Sequence, residues 1–208
     1  MGRRLVVAVL SGALLAPPAP AAVFERFLAP DDPRDQAIAR YLAKEREGRA
    51  RPADLADLGL LLLEKGFPKD AERYLKKALK ASPKNPHIAY RLGIVLQRQG
   101  KERAAARAYG QVIAWEPGFA PAQFMLGLAH ERMGHRRAAI RHYVKAYRHY
   151  PQLADPKHNP LVLTSKLQLE AKMQHYRRVT REDSFWIGYM DPETVKAMQL
   201  ITPRPPRR

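Results

Sequence analysis

Cysteine is absent from all 208 residues. That excludes disulfides, thiol catalysis, and cysteine-ligated zinc or iron–sulfur centres, and with them a lipid anchor carried on a cysteine. Acids are scarce: 20 Asp and Glu stand against 37 Lys and Arg, a formal charge of +17. Such a surplus calls for an anionic neighbour or a solvated basic face. Long apolar runs are also lacking, since Leu5–Ala16 falls short of the ~20 residues that a spanning helix needs. No nucleophile elbow, phosphate loop or dinucleotide fingerprint occurs. The chain therefore reads as a non-enzyme with no cofactor and no metal.

The short apolar run has a context. Arg3 and Arg4 precede it, Pro17 and Pro18 end it, and Ala19-Pro20-Ala21 supplies a small-x-small cleavage pattern. Residues 1–21 are expected to be a secretory signal, of general or twin-arginine type, leaving Ala22 as the mature N-terminus. An uncleaved membrane anchor is the alternative. With the missing cysteines, this points to a bacterial periplasm or a secreted protein.

What the chain does have is a period. Leu58-Gly59, Leu92-Gly93 and Leu126-Gly127 stand 34 residues apart (93 − 59 and 127 − 93). Each pair is followed by a second Gly (Gly66, Gly100, Gly134), an Ala (Ala71, Ala105, Ala139) and a large residue (Leu75, Tyr109, Tyr143). A small or apolar residue comes next (Ala78, Val112, Ala146), then a closing Pro (Pro83, Pro117, Pro151). The first Gly permits close approach of a second helix, the second Gly permits a left-handed turn, and Pro stops the second helix.

This pattern resembles the tetratricopeptide-repeat family over 52–153, as three units at 52–85, 86–119 and 120–153. The resemblance implies an all-α, right-handed superhelical α-solenoid of helix hairpins, with capping helices at both ends. It also implies binding of a protein or peptide partner in a concave groove lined by the first helices. Carried over by position, the groove comprises Ala56, Tyr90 and Phe124, then Leu60, Ile94 and Leu128, then Leu63, Gln97 and Glu131. Glu64, Arg98 and Arg132 complete it, with Arg91 beside Tyr90. An apolar, aromatic floor with arginines suits a binding hot spot; the chain's own N-terminal segment or tail covering it is the alternative. The family's carboxylate clamp is not expected, because Ala56, Leu60, Pro121 and Met125 stand at its positions.

Outside the repeats, residues 22–51 should hold an extended entry (Phe24, Phe27, Leu28) and a capping helix from Pro33 to about Glu47. Its inner face is expected to carry Ala37, Ile38, Tyr41 and Leu42. Residues 154–180 should contain the C-terminal capping helix, roughly 160–178, with Leu163, Leu167, Ala171 and Met173 inward. The tail, 181–208, carries Phe185-Trp186-Ile187 and Tyr189-Met190 and ends in a Pro/Arg segment. Those aromatics either dock on a partner or fold back on the capping helix.

His130, Glu131 and His135 imitate a zinc-protease motif, but one residue too many separates the histidines. His135, His142 and His149 are expected to be solvated. Arg137, Arg141, Lys145 and Arg148 follow i, i+4 or i+3 spacing with no acid among them, giving a cationic stripe. Its candidate targets are anionic lipid, lipopolysaccharide, cell-wall polymer or an acidic partner, with a plain solvated face as the alternative. Nucleic acid enters only if residues 1–21 are not a signal. Two functions compete: an envelope scaffold holding a partner peptide or helix in the groove, and a basic module bound to an anionic surface.

Overall fold

The computed structural model describes residues 23–182, with side chains from 24 to 177. The expected leader over 1–21 and nearly all of the aromatic and Pro/Arg-rich tail lie outside the described residues. Every regular element within them is helical. The helices are α1 (Pro33–Arg46), α2 (Pro52–Glu64), α3 (Pro68–Ala81), α4 (Pro86–Arg98), α5 (Glu102–Trp115), α6 (Ala120–Arg132) and α7 (Arg136–His149). A short α8 (Leu161–Thr164) and a longer α9 (Lys166–Glu182) follow.

The sequence period becomes a structural one. α2, α4 and α6 begin 34 residues apart (86 − 52 and 120 − 86), as do α3, α5 and α7 (102 − 68 and 136 − 102). Starts are set by local chemistry. Proline, whose φ is already helical and whose missing N–H is not needed there, opens α1 to α4. Asp32 accepts from the Arg34 N–H, and Asn85 from the Ile88 N–H. The Asp54 carboxylate accepts the Arg51 N–H at 3.0 Å, which satisfies a donor that the helix leaves orphaned. Between the helices of the second hairpin, Gly100 takes φ +72°, a conformation costly for side chains with a Cβ.

Pairing within a hairpin depends on contact without an intervening side chain. A Cβ placed on Gly93 would lie 2.3 Å from the Tyr109 ring, so the ring lies directly on the α4 backbone. Ala71, Ala105 and Ala139 are fully buried, as are Leu75, Tyr109 and Tyr143. Large and small residues thus interlock at each crossing.

Both flanks differ in part from expectation. The entry segment is a 3₁₀ helix, Val23–Phe27, rather than extended. Its Phe24 is fully buried against the rings of Phe67 and Tyr74, and a tight turn brings it there. α1 buries Ile38 and Leu42 and locks onto the first repeat through the buried Asp35, which is ion-paired with Lys65. The helix expected over 160–178 is broken at Ser165. The Ser165 hydroxyl accepts the Gln168 N–H at 3.2 Å and donates to Glu131 at 2.6 Å, so it caps α9 instead of continuing one helix. Ala171 is buried as expected, Leu163, Leu167 and Met173 are half-buried, and Leu169 joins the core.

Candidate functional site

The first helices set Leu60, Tyr90, Ile94, Phe124 and Leu128 on one side, each half-buried. Their exposed parts form an apolar row, and their inner parts are braced. Tyr90 packs on Tyr109 and Phe119 at ring separations of 5.9 and 5.3 Å, and Phe124 on Tyr143 at 5.3 Å. Burial raises the Tyr90 hydroxyl above its ordinary pKa. Ala56 and Gln97 are buried, so they belong to the floor rather than to an open surface. The Tyr109 hydroxyl donates to Gln97 Oε1 at 2.9 Å. Glu131 accepts from the Tyr143 and Ser165 hydroxyls, which leaves its carboxylate committed to the fold.

The arginines do not act as a set. Arg91 is tied to Asp57 at 2.5 Å, and Arg132 to Glu102 at 2.9 Å. Arg98 is exposed and has no ion pair among the described residues. Of the three, it alone offers an uncompensated charge. Phe24 packs on Phe67 and Tyr74, at the hairpin turn and on the second helix, rather than over the apolar row.

The stripe lies where the spacing put it. Arg137, Arg141, Lys145 and Arg148 are exposed, while Ala139, Tyr143 and Ala146 on the opposite side of α7 are buried. With Ile140, Val144, Glu170 and Gln174, the four cations line an open cleft of about 510 Å³ between α7 and α9.

Of the three histidines expected to be solvated, His135 and His149 are exposed, and His142 is not. His142 is half-buried, its Nδ1 is 2.9 Å from Gln123 Oε1, and its ring stacks on His130 at 5.4 Å. His130 and His135 bring their Nδ1 atoms within 3.3 Å. Among the described residues, no group of three or more His, Cys, Asp or Glu side chains is placed to hold a metal. Burial, with His130, Lys145 and Arg141 nearby, pushes His142 down to about 4. The unfolded chain would protonate this imidazole near 6.5, so between these values it binds more protons than the folded one. Stability should therefore fall as pH drops from 6.5 towards 4, by about 2–3 kcal/mol from this residue. Denaturant titrations across that range should show the slope, and His142→Gln should make it shallower, with His130 and His175, both also lowered by burial, supplying part of what remains. An unchanged slope in the variant would contradict the assignment.

Models of tetratricopeptide repeats match residues 56–123 and 120–152, in register with the hairpins above. The protein belongs to the tetratricopeptide-repeat family. Its fold is that family's solenoid. A crystal structure of MamA is 23% identical, with 80% of this chain and 85% of that one covered at a TM-score of 0.56. A MamA fragment from Desulfovibrio magneticus RS-1 is 21% identical over 74% and 88%, at 0.57. YrrB, described as a TPR protein with an unusual peptide-binding site, is 23% identical over 67% and 66%, at 0.55. At such identities the likeness is one of fold. No curated protein matches the chain in sequence.

The family resemblance assigns the candidate groove positions by naming faces of the first helices. It does not reveal that Arg91 and Arg132 are neutralised: their acids lie 34 and 30 residues away, on other helices.

Proposed function

We propose that this protein is a non-enzymatic interaction scaffold of the bacterial cell envelope, holding a peptide or helix of a partner protein in its first-helix groove. The observation that carries the reading is the row of partly buried apolar residues Leu60, Tyr90, Ile94, Phe124 and Leu128, which share one side of the first helices. It is placed where repeat proteins present a continuous concave face, and apolar patches left partly open to solvent commonly mark an interaction site. A partner suited to it offers apolar side chains along its length and an acid opposite Arg98. The peptide-binding site in the name of YrrB, a neighbour in fold, supports the mode.

Affinity capture from an envelope extract, comparing wild type with Ile94→Glu, tests the groove. A specific protein retained by wild type should be lost with the variant, since burying an unpaired carboxylate in an apolar contact is costly. Equal retention by both would remove the groove from the account.

The envelope location rests on the leader. N-terminal sequencing of the protein from its native host should find Ala22 first. Intact Met1 in the soluble cytosol would contradict export and return nucleic acid as a candidate partner.

A further inference from the structure

The cationic stripe on α7 is one of three. Subtracting 34 from Arg137 and Arg141 gives Arg103 and Arg107 on α5; subtracting it again gives Lys69 and Arg73 on α3. Lys77 and Lys80 complete the α3 row in the register of Lys145 and Arg148, while Gln111 and Ala114 interrupt the α5 row. All of these positions are exposed. Each row lies opposite its helix's buried Ala71, Ala105 or Ala139, so the three rows run side by side on the outer face of the second helices.

Acids answer only part of this charge. Asp70 pairs with Arg73, Glu45 with Lys77, and Glu72 with Lys76 and Lys101. Glu170, beside the α7 row, pairs with Arg136. Lys69 and Lys80 on α3, Arg103 and Arg107 on α5, and all four cations of the α7 row have no ion pair among the described residues. Neighbouring like charges along a helix are mildly destabilising, and here that arrangement recurs in every repeat.

We propose that the outer face of α3, α5 and α7 is a docking surface for an anionic phospholipid bilayer. The proposal goes beyond the groove reading and concerns a different face of the solenoid. Three observations select the occupant. The charge is complementary to acidic headgroups and counts most within a Debye length of them. The array is two-dimensional: each row extends about 16 Å along its helix, and the three rows stand on successive second helices, with α4 and α6 packed between them. Such a patch matches a sheet of headgroups better than a single polymer strand. The twelve positions of the three rows hold only Lys, Arg, Gln and Ala. They offer no aromatic platform on which nucleic-acid bases would stack. Contact would be peripheral and reversible, with no inserted side chain.

Sedimentation with vesicles of phosphatidylcholine mixed with phosphatidylglycerol, and with phosphatidylcholine alone, tests this. Binding is expected to the mixed vesicles only, and it should disappear near 1 M salt, where the Debye length shrinks to about 3 Å. Arg103→Gln with Arg107→Gln should weaken it about 25-fold, at roughly fivefold per cation. Gln111→Lys, which fills the gap in the α5 row, should strengthen it about fivefold. These residues are exposed, so melting temperatures should stay at the wild-type value. Tyr90→Ala with Phe124→Ala should leave sedimentation unaltered, which separates failure of this proposal from failure of the groove. The proposal is overturned by no binding at low salt, by equal binding to phosphatidylcholine alone, or by indifference to the α5 substitutions. Stronger retention of duplex DNA than of mixed vesicles at the same salt would overturn it in favour of nucleic acid.

Discussion

A chain carrying Tyr90→Ala and Phe124→Ala is expected to bind its groove partner about a thousandfold more weakly than wild type. Aromatic anchors at the centre of an interface contribute about 2 kcal/mol or more each when truncated, and about 4 kcal/mol together corresponds to roughly three decades in Kd. The same substitutions should also lower the melting temperature. Both rings are half-buried and packed on Tyr109, Phe119 and Tyr143, so the variant loses core contacts along with partner contacts. Affinity is therefore compared at a temperature where circular dichroism shows full helicity for both proteins. Tyr90→Phe serves as the control: it keeps the ring packing and should retain most of the affinity. An affinity within threefold of wild type for the double variant, with helicity intact, would mean that the partner does not sit on these rings.

The second large effect concerns how the hairpins close. Gly93→Ala should destabilise the protein by about 1–3 kcal/mol, because the added methyl would meet the Tyr109 ring at 2.3 Å. Gly110→Ala should do the opposite. Nothing lies within 4 Å of a Cβ placed there, on the α5 helix, so the gain in helix propensity of about 0.5–1 kcal/mol is realised without a clash. Chemical denaturation of the two variants beside wild type gives both signs in one experiment. Destabilisation of equal size in both would show that helix–helix contact at Gly93 is not the reason glycine stands there.

The repeat was legible because its physics is local and recurs. Gly93 and Tyr109, or Gly127 and Tyr143, meet within one hairpin, and three copies at one spacing expose the rule. The candidate groove row was placed through the family resemblance, which says which faces of the first helices look inward. What the sequence concealed depends on contacts between units. Asp57 reaches Arg91 and Glu102 reaches Arg132 across repeats, and no local pattern announces a partner about 30 residues distant. The break at Ser165 was hidden for a similar reason, since the hydroxyl that caps α9 also donates to Glu131 on α6. His142 looked solvated on a helical wheel, yet Gln123 and His130 from α6 enclose it. The full extent of the basic face was available in the sequence. Lys69, Arg103 and Arg137 share the 34-residue register, but α3 and α5 carry acids beside their cations (Asp70, Glu72, Glu102) and α7 carries none, so the α7 row alone stands out in the sequence.

Photo-crosslinking in the native host tests the groove most directly. A benzoylphenylalanine is placed at Ile94 in one chain and at Gln111 on the outer face in another. One discrete protein adduct should form from position 94, be absent from position 111, and vanish when Phe124→Ala is added to the first chain. The same adduct arising equally from both positions, or none from position 94 in cells where the protein is abundant, would contradict a partner-binding groove on the first helices.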